Sequence, residues 1–92
     1  MINNKKEIIK NICYTELVYG RINKKLSMNF TINQIEAFII RVLSDTPEEF
    51  YSRIGKNYYI TNKDINIRVT VNSNTFRVIT VDRLKKLQSL TE

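Results

Sequence analysis

Tyrosine and arginine are the side chains of this sequence best suited to chemistry, because its 92 residues include no histidine and one cysteine, Cys13. That composition excludes the usual zinc sites, a histidine general base and a Cys–His nucleophilic pair. The two glycines, Gly20 and Gly55, cannot form a glycine-rich phosphate-binding loop. We therefore expect no metal and no cofactor, and the sequence favours a binding protein over an enzyme.

Three of these side chains, Tyr59, Arg68 and Arg77, are predicted to share one face of a β-sheet. Two arginines can hold phosphate groups, and a tyrosine can stack on a base or transfer a proton. This face therefore predicts a nucleic-acid-binding site, with RNA as the favoured ligand. The same residues would serve a metal-independent ribonuclease, whose arginines stabilise the charge that develops on the phosphoryl group. A solvated face, with arginine stems shielding Tyr59, explains them without any function.

A second basic group comprises Lys56 and, towards the end of the chain, Arg83, Lys85 and Lys86. Lysine and arginine side chains are common partners of the phosphate backbone, so these four residues extend the predicted nucleic-acid-binding site. An ordinary solvated helix face is the alternative explanation for the three residues at the end of the chain.

The net charge of +6 is spread evenly, since residues 1–46 and residues 47–92 each carry an excess of three positive charges. A basic protein of this kind suits RNA, DNA or an acidic protein as its partner. The alternative to nucleic-acid binding is therefore a protein-interaction or inhibitor domain of the mobile-element, antitoxin or phage type. The first or third predicted strand can also pair edge to edge with a second copy, which would give a homodimer.

No apolar run approaches the ~18 residues that a membrane span needs, and the first residues are polar. The single cysteine cannot form a disulfide within the chain, which suits a reducing compartment. We therefore expect a cytoplasmic protein without a membrane segment. The length of the chain predicts a single domain, residues 1–92.

Helical periodicity covers residues 4–54 and predicts three to four helices. The clearest start is Thr31, which has Gln34 three residues later in the arrangement of a capping box. A short fourth helix is predicted within residues 46–54, because a threonine, a proline and two glutamates open that segment. Gly55 would end this helix in a left-handed conformation.

Alternation of apolar and polar residues replaces this pattern over residues 57–82 and predicts a three-stranded antiparallel β-meander. Two-residue turns at 62–63 and 73–74 set its register, and the apolar inner face then packs on the helices. The facing pairs in this register are Tyr58 with Ile67, Ile60 with Ile65, Ile67 with Thr80, Val69 with Val78, and Val71 with Phe76. The outer face carries Tyr59, Asn66, Arg68, Thr70, Arg77, Ile79 and Val81.

A short C-terminal helix is predicted over residues 82–91, with Asp82 as its cap and leucines at helical spacing. The predicted fold is therefore of the α+β class. Three to four N-terminal helices pack on one face of a C-terminal three-stranded antiparallel β-sheet, and a short C-terminal helix follows.

Short motifs occur in a fixed order along residues 10–83. They are Thr15-Glu16-Leu17 with Arg21-Ile22 and Leu26, Gly55-Lys56-Asn57-Tyr58-Tyr59, and Val71-Asn72-Ser73 followed by Phe76 and Val78-Ile79-Thr80. Their order and spacing resemble a family of small bacterial proteins, domain of unknown function 3781. Members often carry histidine where this sequence has Asn74 and Asp82, and because of that departure we expect no histidine-dependent chemistry here. The order of helices followed by an arginine-bearing hairpin is also loosely similar to RelE-type ribonuclease toxins, although fold does not fix function.

Overall fold

The computed structural model of the protein describes residues 4–84, in which three helices precede a four-stranded antiparallel β-sheet. In chain order the elements are α1 (Lys5–Asn11), α2 (Val18–Leu26), α3 (Ile32–Asp45), a 3₁₀ turn (Glu48–Phe50), β1 (Tyr51–Ile54), β2 (Asn57–Asn62), β3 (Ile67–Asn72) and β4 (Val78–Arg83). The strands lie in the order β1-β2-β3-β4. The α+β class is confirmed, and none of the described helices is long and apolar enough to cross a membrane.

Helix α3 begins with the predicted capping box. The backbone N–H of Gln34 donates to the Thr31 hydroxyl at 3.2 Å, and the backbone N–H of Thr31 donates to Gln34 Oε1 at 2.8 Å. Two backbone donors at the helix start are thereby satisfied by side chains. At the other end Lys5 Nζ donates to the carbonyl of Thr46 at 2.8 Å, which suits the negative end of a helix.

The core lies between the helices and the inner face of the sheet. Because α2 and α3 place apolar side chains three or four residues apart, each buries one stripe against the strands. Each fully buried aliphatic side chain stabilises the fold by roughly 1.5–3 kcal/mol. The buried apolar residues are Ile8, Val18, Ile22, Leu26, Ile35, Ile39, Val42, Leu43, Tyr58, Ile60, Ile67, Val69, Val71, Val78 and Val81.

The predicted fourth helix is wrong. Only Glu48–Phe50 are helical, as a single 3₁₀ turn, and the chain then enters β1, which pairs with β2 along its whole length. A segment this short gains little from helical hydrogen bonds alone, whereas the neighbouring strand offers it a partner. Gly55 does adopt the predicted left-handed conformation, with φ of 62°, but in the two-residue turn that joins β1 to β2. A first turn residue of this kind favours glycine.

The β2–β3 register differs from the prediction by four residues, because the turn spans residues 63–66 instead of 62–63. Asn62 Oδ1 holds this turn by accepting from the backbone N–H groups of Asp64 and Ile65. Tyr58 therefore faces Val71, Ile60 faces Val69, and Ile65 lies in the turn instead of on the inner face. Since the shift is an even number of residues, every other side chain of these two strands keeps its predicted face.

The β3–β4 register was also predicted incorrectly, and this error assigned Val81 to the wrong face of the sheet. Val71 faces Val78 while Thr70 faces Thr80, so Ile79 is an extra residue that forms a β-bulge. Beyond the bulge Val81 faces Val69 and is fully buried, although the predicted register placed it on the outer face. Ile67 accordingly faces Arg83 instead of Thr80, and the predicted pair of Val71 with Phe76 is not formed.

The last described residues also depart from the prediction. Asp82 does not cap a helix but lies in β4, where its carboxylate accepts from Lys25 Nζ at 2.7 Å. The remainder of the predicted C-terminal helix, residues 85–91, lies outside the described residues. The sequence predicted β2 as the first strand and therefore as an edge of the sheet. It is an inner strand, because β1 pairs with it on that side. At the other edge, the backbone of Cys13 bonds to the residues on either side of Arg77 at the start of β4.

Candidate nucleic-acid interface

The outer face of the sheet brings Tyr59 and Arg68 together, as the sequence predicted. The two residues lie on adjacent strands, since Tyr59 pairs with Thr70 and Arg68 with Thr61. The Arg68 guanidinium carbon lies 5.9 Å from the centroid of the Tyr59 ring, within the range of a cation–π contact. On its other side the Tyr59 hydroxyl accepts from Asn57 Nδ2 at 3.4 Å. The Tyr59 side chain therefore contacts an amide through its hydroxyl and a guanidinium through its ring.

Small hydroxyl side chains surround this pair in the same cross-strand row. Ser52, Thr70 and Thr80 occupy the positions that pair, strand by strand, with Tyr59 and with one another. Thr70 is only 5% exposed although it belongs to the outer face. The Thr80 hydroxyl is buried and has no hydrogen-bond partner among the described residues.

Arg77 and Lys56 lie at one end of the sheet, away from the Tyr59–Arg68 pair. Asn72 lies four residues beyond Arg68 on β3, which corresponds to about 13 Å along the strand. The Asn72 backbone N–H donates to the Arg77 carbonyl at 2.9 Å, which fixes Arg77 at that end. The Lys56 carbonyl accepts from the N–H of Ser73 at 2.7 Å, so the β1–β2 turn meets the β3–β4 loop there. The residues of the predicted site therefore form two separate positively charged groups, Arg68 beside Tyr59 and Lys56 with Arg77.

The positive charges of this surface are not neutralised by carboxylates within residues 4–84. Arg68 faces Asp82 across the β3–β4 ladder, but that carboxylate is paired with Lys25. Lys56, Arg68 and Arg77 form no salt bridge with any described residue. Anions in solution can therefore approach all three.

Arg83 does not belong to this surface. Its guanidinium donates to the carbonyl of Leu26 at 2.6 Å, where it satisfies a backbone group at the C-terminal end of α2. A contact between residues so distant in sequence left no signal in the local pattern. Lys85 and Lys86, the other two members of the predicted C-terminal cluster, lie outside the described residues.

One residue of β1, Ser52, adjoins the surface and was missed, because its segment was assigned to a helix. Ser52 faces Tyr59, and its hydroxyl lies 3.5 Å from the Tyr59 carbonyl. The next residue, Arg53, is exposed but pairs with Tyr58, so it lies on the opposite face of the hairpin, where its Nε donates to the carbonyl of Gly55 at 3.3 Å. The signal available in the sequence was the glycine in a two-residue turn between segments rich in β-favouring residues.

A separate cluster of tyrosines has its pKa values shifted. Tyr19 donates its hydroxyl to Glu36 at 2.7 Å, and this hydrogen bond raises the pKa of Tyr19 to about 12. Tyr14 stacks on Tyr19 with ring centroids 5.6 Å apart, and burial raises the pKa of Tyr14 well above its usual value. Both phenols stay protonated at neutral pH. Tyr19 joins α2 to α3 through Glu36, and neither phenol is poised to act as a base.

An apolar groove of about 230 Å³ opens on the other side of the sheet, towards α2 and α3. Met28 and Ile65 are exposed at 41% and 45%, so the groove is open to solvent. Arg83 is the one charged residue among those that line it. The lining residues are Leu26, Met28, Phe38, Ile65, Ile67 and Arg83.

Comparison with known proteins identifies a family and no nearer relative. A family model described as "Protein of unknown function (DUF3781)" matches residues 6–82. No curated protein matches the chain, and no solved structure matches it. The loose similarity to RelE-type toxins therefore has no support. The family match runs from Lys6, the second residue of α1, to Asp82 in β4, and so covers nearly all of the three described helices and the sheet. The chain belongs to the DUF3781 family.

Proposed function

We propose that this protein binds RNA through the outer face of its sheet. The observation that carries the proposal is the contact between Arg68 and Tyr59, a guanidinium 5.9 Å from an aromatic ring on an open sheet face. Sheets that present aromatic and basic side chains in this way bind RNA in several unrelated folds, because the ring stacks on a base and the cation meets a phosphate.

The charges around the pair support the same function. Lys56 and Arg77 lie about 13 Å away along the strands and, like Arg68, have no salt bridge among residues 4–84. Three unpaired cations on one side of a protein with a net charge of +6 attract a polyanion. Their separation matches several phosphates of one chain better than a single small anion.

The same surface gives less support to a ribonuclease. A metal-independent mechanism using Tyr59, Arg68 and Arg77 requires both arginines near the phosphorus that the tyrosine serves. The backbone of Arg77 is fixed beside Asn72, four residues along β3 from Arg68, so the structure does not hold the two arginines together around one phosphorus. We therefore propose binding without cleavage.

Titration of the protein against a fluorescently labelled RNA hairpin with a single-stranded tail tests the proposal. We expect saturable binding at low salt that weakens about 20-fold between 50 and 200 mM salt, as three phosphate contacts at roughly −0.7 each in log–log slope require. Full-length RNA should be recovered after incubation. An absence of binding at 50 mM salt, or affinity that does not change with salt, would contradict RNA binding through these cations.

A protein partner is the second candidate function, and the apolar groove favours it. An acidic segment that carries one large apolar side chain would fill the groove and place a carboxylate near Arg83.

The edge of β1, which pairs with no other described strand, would allow a second copy to add its own β1. Size-exclusion chromatography of the protein from its native host separates these cases. A stable complex free of nucleic acid supports the protein partner, and nuclease-sensitive material supports RNA.

A further inference from the structure

We infer that the Tyr59–Arg68 pair takes an unpaired base, so that the ligand of this face is single-stranded RNA instead of a duplex. The inference rests on the proposed function and specifies which form of RNA the site accepts. It follows from the shape of the pair, from the size of its neighbours, and from the distance to the other cations.

The pair offers two flat surfaces to a base. The Tyr59 ring is held along β2 by the contact of its hydroxyl with Asn57, and the planar Arg68 guanidinium lies 5.9 Å from its centroid. Aromatic rings and guanidinium planes are the two groups on which proteins stack exposed bases. A base can therefore lie on the guanidinium or displace it from the ring. In either arrangement the base stacks on a planar group of the protein, and the surfaces that meet are no longer in contact with water.

The neighbours of the pair leave space for a base. Ser52, Thr70 and Thr80, in the same cross-strand row as Tyr59, are small, and Ser52 on the neighbouring strand β1 is exposed. No larger side chain of this row stands beside Tyr59 within the described sheet. Bases within a duplex are already stacked on both sides and cannot reach a flat sheet, whereas an unpaired base can turn onto it.

The remaining cations, Arg77 and Lys56, determine the direction in which the bound RNA runs across the sheet. Arg77 and Lys56 lie about 13 Å from Arg68 along β3, so the phosphates that they contact belong to nucleotides other than the stacked one. A flexible single strand can place a base on Tyr59 and a neighbouring phosphate on Arg77 together. The expected footprint is thus a short unpaired segment that runs along the strands.

The test uses a single-stranded RNA oligonucleotide containing one 2-aminopurine, whose fluorescence falls when the base stacks, and the same RNA annealed to its complement. The wild-type protein should quench the single strand and bind it at least tenfold more tightly than the duplex. Y59A should lose the quenching together with about tenfold in affinity. R68K should keep the salt dependence but show weaker quenching, because lysine has charge without a plane.

The outcomes separate the two proposals. If the duplex binds as tightly as the single strand, and Y59A binds like the wild-type protein, RNA binding stands and the inference of an unpaired base is wrong. If neither RNA binds, the proposed function itself fails. Circular dichroism of each variant, compared with that of the wild-type protein, keeps loss of folding distinct from loss of stacking.

Discussion

An R68Q/R77Q variant is expected to bind single-stranded RNA about 20-fold more weakly than the wild-type protein at 100 mM salt. The reason is that each phosphate contact with a single strand releases roughly 0.7 counterion, which corresponds to about fivefold in affinity per contact at that ionic strength. Both guanidiniums are free of salt bridges among the described residues, so their removal leaves no unpaired carboxylate that would disturb the fold. The dissociation constant is measured by fluorescence anisotropy.

The matched control removes the same charge from the helical side of the molecule. Lys10 and Arg41 are exposed on α1 and α3, and the Arg41 pair with Asp45 is long, at 3.8 Å, and solvent-exposed. A K10Q/R41Q variant therefore has the same net charge as R68Q/R77Q at little cost in stability. We expect it to bind RNA within about twofold of the wild-type protein. Equal losses of RNA affinity in the two variants would mean that binding depends on net charge alone and that the outer face has no special role.

Replacement of Val81 with aspartate is expected to lower the free energy of unfolding by a large fraction of its total. Val81 is fully buried between the sheet and the helices because the bulge at Ile79 turns it inward. Burial of an unpaired carboxylate costs at least several kcal/mol, and a domain of this size has a free energy of unfolding of only about 5–10 kcal/mol. Denaturant unfolding followed by circular dichroism measures the loss, which should be about 4 kcal/mol or more.

Ile79 supplies the comparison, since the same substitution there should change the free energy of unfolding by less than about 1 kcal/mol. Ile79 is the bulged residue and is 37% exposed. A regular β3–β4 hairpin with the turn at 73–74 would put both side chains on the outer face, and both aspartates would then be tolerated. Equal stability of V81D and I79D would therefore show that the bulge is absent.

Local patterns predicted the parts of this fold that local interactions determine. The capping box of Thr31 and Gln34 needs only residues three apart, and the sequence identified it. The inner faces of β2 and β3 were also predicted, because alternation survives a turn that is longer by an even number of residues. For that reason Tyr59 and Arg68 were placed on one face although the predicted β2–β3 register was wrong.

The predictions failed where two conformations are compatible with the same pattern of apolar and polar residues. Ile79 and Val81 are both apolar, so the sequence does not reveal which of them a bulge turns inward. Tyr51–Ile54 follow a proline and two glutamates that start a helical turn, and only pairing with β2 decides that the segment is a strand. The contact of Arg83 with the carbonyl of Leu26 joins residues 57 positions apart, beyond the reach of any periodicity.

The central claim is that RNA binds the outer face of the sheet, and amide chemical-shift mapping tests it most directly. On addition of single-stranded RNA to the ¹⁵N-labelled protein, we expect the largest shifts at the outer-face residues. These are Ser52, Tyr59, Thr61, Arg68, Thr70 and Asn72, with Lys56 and Arg77 at the end of the sheet. Exposed amides of α1 and α3 should stay in place. Shifts concentrated on those helices or around the groove of Met28 and Phe38, or no shifts at saturating RNA, would contradict the claim.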